Sequence, residues 1–284
     1  MINTKRKPPW LHKRFEFRKC AEMNLLLRGL DLRTVCQDAR CPNIGECYSR
    51  GHATFLILGD CCTRNCGFCN LQSGRPQAAD PEEPRRVAEA ASRLSLRHVV
   101  VTSVTRDDLP DGGAQIFART VSELKSRMPH AVVEVLIPDF QGLRSSLETL
   151  VASGPHLIAH NVETVPRLYP EVRPAASYRR SLILLGTVKK MAPRIRTKSG
   201  LMLGLGETGE ELQAVWKDLR RQGCEFLSMG QYLSPSKRHV PVRQYVSPQR
   251  FARERQNAYG LGFRYVASAP YVRSSYLPEE YLTG

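Results

Sequence analysis

The sequence of 284 residues lacks any run of eighteen apolar residues, so it predicts no membrane-spanning helix. Its first twenty residues also lack an apolar stretch that could form the core of a signal peptide. These residues are rich in Lys and Arg and include a single acidic residue, Glu16, a composition typical of a transit peptide. Pro8 and Pro9 would, however, interrupt the amphipathic helix that a transit peptide forms. We therefore expect a cytoplasmic protein that does not contact a membrane.

Acidic residues are also scarce: the sequence has 27 Asp and Glu against 42 Lys and Arg, which gives a formal net charge of +15. Such an excess favours an acidic partner, whether nucleic acid, anionic membrane or acidic protein. The basic residues are scattered, however, and no basic groove with interleaved aromatics is visible, so we expect no nucleic-acid partner. The phosphate-loop pattern GxxxxGK[ST] is missing as well, which excludes that kind of nucleotide site.

From about residue 53 the sequence alternates β-rich runs with amphipathic helical patterns. Strands are predicted at 53–59, 97–104, 131–137, 156–163, 195–203 and 224–232. This alternation indicates a parallel sheet with right-handed crossovers, either barrel-like or open and doubly wound. In both cases catalytic groups belong in the loops after the carboxyl ends of the strands. We expect three regions: an N-terminal extension (1–52), a core (53–232) and a C-terminal extension (233–284), in which FRYVASAP is a possible last strand.

Cysteine is plentiful, and four of the nine cysteines lie in GDCCTRNCGFCN at 59–70. An odd number of cysteines in a reducing compartment indicates metal ligands or redox groups more than a disulfide framework. Cys62, Cys66 and Cys69, the first triplet, could surround one face of a four-iron cluster and leave the fourth iron open. An open iron can chelate the amino and carboxylate groups of a small molecule. Zinc is the alternative, although structural zinc sites usually combine two CxxC pairs.

Upstream, Cys36, Cys41 and Cys47 form a second triplet, with Pro42 and Gly45 available to turn the chain. Three more thiolates on a compact loop make a second cluster the simplest interpretation. This cluster again lacks a fourth protein ligand.

Cys61 does not have the spacing of the first triplet. We expect it to be a buried bystander, like Cys20 and Cys224. Its replacement should therefore spare both clusters.

The two triplets, in this order, resemble those of a known family. CxxxCxxC with Phe68 before its last cysteine resembles the signature of radical S-adenosylmethionine enzymes, and with CxxxxCxxxxxC upstream the chain resembles the lipoyl synthases. The matching blocks are DARCPNIGEC, TRNCGFCN, VTSVTRDDLPDGGAQ, HNVETVPRLYPEVRP, TKSGLMLGLGET, GQYLSPSKRHVPV and VRSSY. Tyr48 departs from the pattern, because the family often has tryptophan there. The resemblance implies an α/β fold, a partial (β/α)6 TIM-like barrel with N- and C-terminal extensions.

The resemblance also implies ligands for two 4Fe-4S clusters. Cys62, Cys66 and Cys69 match the ligands of the cluster that cleaves S-adenosylmethionine. Cys36, Cys41 and Cys47 match the ligands of an auxiliary cluster that is consumed as sulfur donor. The family completes the auxiliary cluster with a serine of its RSSY motif, and this role is carried over to Ser275, with Ser274 as the alternative.

Contacts to S-adenosylmethionine are implied at other positions, together with Phe68. Asn161 and Glu163 in HNVE resemble an element that hydrogen-bonds the adenosyl hydroxyls, with a capping or turn role as the alternative. Gly204 and Gly206 in GLGE could let the backbone approach the adenine, or could serve only the turn.

The implied activity is insertion of two sulfur atoms at C6 and C8 of an octanoyl chain on a carrier-protein lysine. Such C–H bonds have no acidic proton, so hydrogen abstraction by a carbon radical opens them where acid–base chemistry does not. Implied partners are octanoylated lipoyl domains (2-oxoacid dehydrogenase E2 or glycine cleavage H protein), an electron donor such as ferredoxin or flavodoxin, and an iron–sulfur carrier for repair. A monomer is expected. The alternatives are a biotin-synthase-like enzyme acting on a small molecule, an iron–sulfur electron carrier or a metal-stapled nucleic-acid-binding protein.

Overall fold

The computed structural model describes residues 7–12, 17–50, 52–276, 278 and 280–283. Its strands are β1 (Arg33–Thr34), β2 (Thr54–Ile57), β3 (Cys61–Cys62), β4 (Gln72–Ser73), β5 (His98–Ser103), β6 (Val132–Leu136), β7 (Leu157–Ala159), β8 (Arg196–Leu203), β9 (Phe226–Gln231) and β10 (Tyr265–Ser268). Its α-helices are α1 (Phe17–Gly29), α2 (Val35–Asp38), α3 (Ile44–Ser49), α4 (Glu83–Arg93), α5 (Ala114–Arg127), α6 (Arg144–Ala152), α7 (Tyr169–Val172), α8 (Tyr178–Met191), α9 (Gly209–Arg221), α10 (Pro248–Tyr259) and α11 (Glu280–Thr283). None of these helices is long and apolar enough to cross a membrane.

The main sheet has the strand order β1-β2-β5-β6-β7-β8-β9-β10. All six predicted strands are present and pair in parallel, and β10 adds a seventh parallel strand beside β9, as FRYVASAP suggested. The short antiparallel strand β1 at the other edge was not predicted. β3 and β4 form a separate parallel pair outside this sheet.

Helices cover one face of the sheet in chain order. α4 contacts α5, α5 contacts α6, α6 contacts α8, and α8 contacts α9. Apolar side chains of the sheet and these helices form the main core, whereas Leu157, Ala159, Phe226 and Tyr281 form a small separate cluster. The sheet thus has a helix-covered outer face and a more polar inner face, the arrangement of a partial barrel.

Helix α9 illustrates how the sequence specifies the outer layer. The Thr208 hydroxyl accepts the backbone N–H of Glu211, and the Glu211 carboxylate accepts the backbone N–H of Thr208, which completes a capping box. The buried side chains recur at helical spacing: Leu212, Val215, Trp216 and Leu219. Such a cap typically contributes about 1 kcal/mol, and the apolar stripe packs the helix on the sheet.

After β10 the chain turns back along the inner face of the sheet. The backbone N–H of Gln231 donates to the Pro270 carbonyl, and the Asn43 amide donates to the Tyr271 carbonyl. Gly230 permits this close approach, because a Cβ there would lie 2.0 Å from the Val272 carbonyl oxygen. The segment 269–276 is therefore packed inside the partial barrel.

Candidate active site

The first triplet lies in a loop after the carboxyl end of β2, where catalytic groups were predicted. The two-residue pairing of β3 with β4 closes this loop at its base. Within it, the Cys69 backbone N–H donates to the Cys66 carbonyl at 3.0 Å, which forms a tight turn. The CxxxCxxC loop is therefore a compact, hydrogen-bonded unit at one end of the sheet.

Two backbone N–H groups point at the sulfur of Cys62. Those of Arg64 and Thr105 each donate to Cys62 Sγ at 3.4 Å. Burial raises the pKa of Cys69 to about 12 and also raises that of Cys66, so without a cation these thiols would be protonated. Amide donors and three half-buried sulfurs fit an iron–sulfur cluster, whose irons would stabilise the thiolates.

Arg64 anchors the first-triplet loop to the barrel. Its guanidinium donates to both oxygens of Asp107 at 2.7 and 2.9 Å and to Asp139 Oδ1 at 2.6 Å. Asp139 also accepts from Arg180 at 3.1 Å. Burial alone would raise the pKa of Asp139, but the hydrogen bond and charge of Arg64 lower it to about 2. This carboxylate is thus ionised and ties the loop to β6 and α8.

A second set of contacts comes from the chain after β9. His239 Nε2 donates to the Cys69 carbonyl at 2.9 Å, and the Val240 backbone N–H donates to the Gly67 carbonyl. A Cβ on Gly67 would lie 2.8 Å from the Glu171 carbonyl oxygen, so this position needs glycine. Phe68 beside it is half-buried and packs against the main core.

Asn161 and Glu163, predicted as adenosyl contacts, lie together just beyond β7. Asn161 Nδ2 donates to Glu163 Oε1 at 3.0 Å and to Ser274 Oγ at 2.6 Å. Glu163 has a positive φ of 64° and bridges to Leu201, so the backbone bends here and β7 ends earlier than predicted. Burial raises the pKa of Glu163, and its charge interacts with Cys66, which places the pair near the first triplet.

Gly204 and Gly206 both have positive φ, of 102° and 107°, between β8 and α9. The backbone N–H groups of Gly204 and Leu205 donate to the buried carboxylate of Glu207 at 2.6 and 2.9 Å. A Cβ on Gly204 would lie 2.3 Å from the Gln244 carbonyl oxygen. At Gly204 these contacts favour the turn role over direct approach to a ligand.

The second triplet lines one cavity together with Ser275. Cys36 lies on α2, Cys41 on the following turn and Cys47 on α3. Thr54 and His98, at the amino ends of β2 and β5, line the same cavity. The second-triplet cavity is therefore at the amino ends of the strands, opposite the first triplet.

The two serines of RSSY have different surroundings. Ser275 lines the second-triplet cavity, and its Oγ accepts a hydrogen bond from Thr54 at 2.7 Å. Ser274 Oγ instead contacts Asn161, and its carbonyl accepts from Lys198 Nζ at 2.7 Å. Of the two serines, Ser275 thus has the position that a fourth ligand would need.

Three thiols and a hydroxyl around one cavity fit a four-iron cluster. Burial, together with the nearby Cys41, raises the pKa of Cys36 to about 11, so its thiolate needs a cation here. No group of three or more His, Cys, Asp or Glu in the described ranges is arranged to hold a single metal ion. A cube places each thiolate on a different iron, which separates the sulfurs more than the roughly 4 Å expected around one zinc ion.

Comparisons with known proteins identify the family. The Radical SAM superfamily model matches residues 56–219. The lipoyl synthase of Caldanaerobacter subterraneus subsp. tengcongensis is 57% identical over 273 residues, 96% of each chain. That of Trichlorobacter lovleyi is 56% identical over 281 residues, 99% of this chain and 100% of the relative. The chain belongs to the lipoyl synthase family.

As a lipoyl synthase family member, the chain is a radical S-adenosylmethionine sulfurtransferase. It uses an iron–sulfur cluster and S-adenosylmethionine. This result confirms the resemblance drawn from the ordered sequence blocks. It also decides against the biotin-synthase-like alternative.

Solved structures support the fold of this lipoyl synthase family chain. Streptococcus suis SuiB bound to S-adenosylmethionine superposes with a TM-score of 0.58 at 15% identity, over 86% of this chain and 57% of that protein. Methylornithine synthase (PylB) superposes with a TM-score of 0.54 at 13% identity, over 90% of this chain and 84% of that protein. At such low identity these structures establish the partial barrel alone.

One expectation for this family member was wrong. Cys61 is half-exposed, whereas Cys20 and Cys224 are buried as expected. The reason is that Cys61 lies on β3, a two-residue strand at the rim of the first-triplet loop, and does not continue the buried strand β2. No disulfide joins any of the cysteines that the structure describes.

The charged residues that support both sites of this lipoyl synthase family chain were not predicted from the sequence. Arg64 and Asp139 anchor the first-triplet loop, and Glu134 with Lys198 forms a buried ion pair behind the RSSY segment. A usable signal existed, because Glu134 and Lys198 interrupt strands that otherwise read as buried. A charge in such a strand predicts a charged partner nearby.

Proposed function

We propose that this chain inserts two sulfur atoms at C6 and C8 of an octanoyl group on a carrier-protein lysine and so forms the lipoyl cofactor. The observation that carries the proposal is the second-triplet cavity, which combines Cys36, Cys41, Cys47 and Ser275. Such a donor set fits a second four-iron cluster, the proposed source of sulfur.

When bound, the first cluster supplies an electron that cleaves S-adenosylmethionine to a carbon radical, and the second cluster supplies sulfur. The chain's own residues hold these groups in position. Cys62, Cys66 and Cys69 are proposed to bind the first cluster, with amide donors to Cys62 tuning it. The Arg64–Asp139 ion pair keeps this loop in place during the reaction.

Binding of S-adenosylmethionine is proposed beside the first triplet, at Asn161 and Glu163. Their side chains form a hydrogen-bonded pair near Cys66 and lie on a bend with little freedom. The half-buried carboxylate of Glu163 is suited to accept hydrogen bonds from the two hydroxyls of a ribose. Phe68, Gly204 and Gly206 remain weaker candidates for contact with the adenosyl group.

Exclusion of water is the task of the segment that enters the barrel. Radical hydrogen abstraction needs a site in which solvent does not compete for the reactive carbon. Segment 269–276 packs inside the sheet and contacts β9 and the N-terminal extension. The Tyr276 hydroxyl also donates to Glu46 at 3.0 Å. These contacts support three cooperating regions, 1–52, 53–232 and 233–284, of which the first and last together enclose the second cluster.

An acidic lipoyl domain of a 2-oxoacid dehydrogenase E2 or a glycine cleavage H protein is the proposed carrier. Lys237 and Arg238 are exposed beside the first-triplet loop, and neither forms an ion pair with any residue the structure describes. They offer a basic surface for such a domain. A ferredoxin or flavodoxin as electron donor and an iron–sulfur carrier for repair complete the proposed partners. Cysteines without disulfides support a reducing compartment such as the cytoplasm.

The carrier proposal is tested by charge reversal. The double variant Lys237→Glu with Arg238→Glu should lower the rate on an octanoylated domain and weaken its dependence on ionic strength. Reversal of Lys190 and Arg194, exposed residues at the opposite end of the barrel, is the matched control. Equal effects of the two double variants would contradict a docking surface at Lys237 and Arg238.

The reaction itself is tested with anaerobically reconstituted protein, a reductant, S-adenosylmethionine and an octanoyl-lysine peptide. The expected product carries two additional sulfur atoms by mass spectrometry. Iron analysis should give about eight irons per chain, for two four-iron clusters. About four irons, or a product without sulfur, would refute the two-cluster proposal.

A further inference from the structure

A buried histidine lines the second-triplet cavity without a role in the reaction proposed above. His98 begins β5, and only 4% of its side chain is exposed. Its Nδ1 is buried and has no hydrogen-bond partner in the part of the chain that the structure describes. An unpartnered buried polar atom destabilises the folded state, because it has lost its hydrogen bonds to water without replacing them. This nitrogen therefore indicates a ligand that the cavity would supply.

Glu134 determines which ring nitrogen is left for that ligand. Nε2 of His98 lies 3.1 Å from Glu134 Oε2, and Lys198 forms an ion pair with the same carboxylate. The carboxylate can only accept a hydrogen bond, so Nε2 carries a proton and Nδ1 is the nitrogen left to bind a metal. A histidine that donates one N–H to a carboxylate is the usual form of a histidine that binds metal through its other nitrogen.

Sheet register relates His98 to Ser275. Thr54, whose hydroxyl donates to Ser275, is paired with Val100 on β5. His98 precedes Val100 by two residues and so faces the same side of the sheet, about 7 Å further along the strand. His98 and Ser275 thus border the second-triplet cavity at adjacent levels of one wall.

We propose that His98 is an alternative fourth ligand of the second cluster. When Ser275 is not coordinated, His98 binds the same iron through Nδ1. This inference rests on the second cluster of the proposed function. Imidazole replaces cysteine as an iron ligand in Rieske clusters, so the ligand type is chemically suitable. Ser275 lies in a turn and His98 on a strand, so the serine is the more easily displaced of the two.

The test uses the full chain with the three cysteines of the first triplet changed to alanine, so that only the second cluster is observed. After anaerobic reconstitution and reduction, pulsed electron paramagnetic resonance detects nitrogen bound to the cluster. Ser275→Ala should retain its cluster and show a directly bound histidine nitrogen. The added change His98→Gln, which keeps a donor for Glu134, should abolish that signal. Ser275→Cys restores a strong ligand and should lack it.

His130→Gln on the Ser275→Ala background is the matched control, because His130 is exposed, and it should leave the nitrogen signal unchanged. Loss of the cluster from Ser275→Ala, absence of the nitrogen signal, or its persistence after His98→Gln would each overturn the assignment. Iron analysis of the background with Ser275 intact tests the proposed function separately. If that background holds about four irons per chain but Ser275→Ala shows no nitrogen signal, the histidine ligand is refuted and the second cluster is not. Absence of iron there refutes the second cluster and the histidine ligand together.

Discussion

Replacement of Lys198 by methionine should destabilise the fold strongly, because it leaves the Glu134 carboxylate buried without its cation. The two side chains are 0% and 1% exposed, so water cannot take the place of the ammonium. Burial alone would raise the pKa of Glu134, but Lys198 lowers it, so the pair is ionised. Breaking such a pair from one side typically costs about 3–5 kcal/mol. The change also removes the donor to the Ser274 carbonyl and the cation 4.1 Å from the Tyr281 ring centre.

The expected effect is a fall in melting temperature of about 6–20 °C, at about 2–4 °C per kcal/mol for a chain of this size. Thermal unfolding of the anaerobically reconstituted protein, at one scan rate, measures it. The double variant Lys198→Met with Glu134→Gln should recover part of the loss, because no charge is then left unpaired and Gln can still accept from His98. Lys190→Met on the exposed side of α8 should change little. A melting temperature within 2 °C of wild type for Lys198→Met, or no recovery in the double variant, would refute this reasoning.

Three further predictions concern the first triplet, its anchor and the RSSY segment. Cys61→Ala should leave formation of 5'-deoxyadenosine intact by chromatography, whereas Cys62→Ala should abolish it, and equal rates would exclude Cys62 as a ligand. The pKa of Asp139 is lowered from 3.8 to about 2, so its ionised form stabilises the fold above about pH 4 and this contribution is lost as the pH falls through 2. Asp139→Asn should therefore cost roughly 2 kcal/mol at pH 7 and less at pH 3 in urea unfolding of cluster-free protein, and an equal cost at both values would count against this reasoning. Gly230→Ala should lower the iron content of the second site by displacing the segment, while Gly209→Ala, with open space around it, should not; equal iron in both would contradict the packing argument.

The strands were predictable because each buried run of β-formers is long enough to stand out. The strand β1 and the end of β7 could not be predicted from the sequence. β1 has two residues and exists only through antiparallel pairing with β2, which local sequence does not report. β7 stops at Ala159, and beyond it the chain bends at Glu163, whose backbone N–H donates to the Gly200 carbonyl of β8, a tertiary contact that local β propensity does not report.

Some parts of the candidate site could be predicted from the sequence and others could not. The first triplet is local, so its spacing alone indicated a cluster. The second-triplet cavity joins Cys47 to Ser275 from the far end of the chain, and only the family resemblance linked them. Cys61 was misjudged because the position of a neighbour on a loop depends on where the preceding strand ends. His98 and Glu134 carry no sequence pattern, and their role becomes visible only through their contacts.

The two cysteine sites lie at opposite ends of the same parallel strands, so the sheet acts as a spacer between them. β2 runs from Thr54, beside the second-triplet cavity, to Ile57, before the first-triplet loop, a rise of about 10 Å over three residue steps. Insertion of a single residue in one strand would turn the following side chains to the opposite face and break the register with both neighbours. The gap that an acyl chain must bridge is therefore a property of the backbone, and adapting this barrel to a longer chain would require lengthening several strands together.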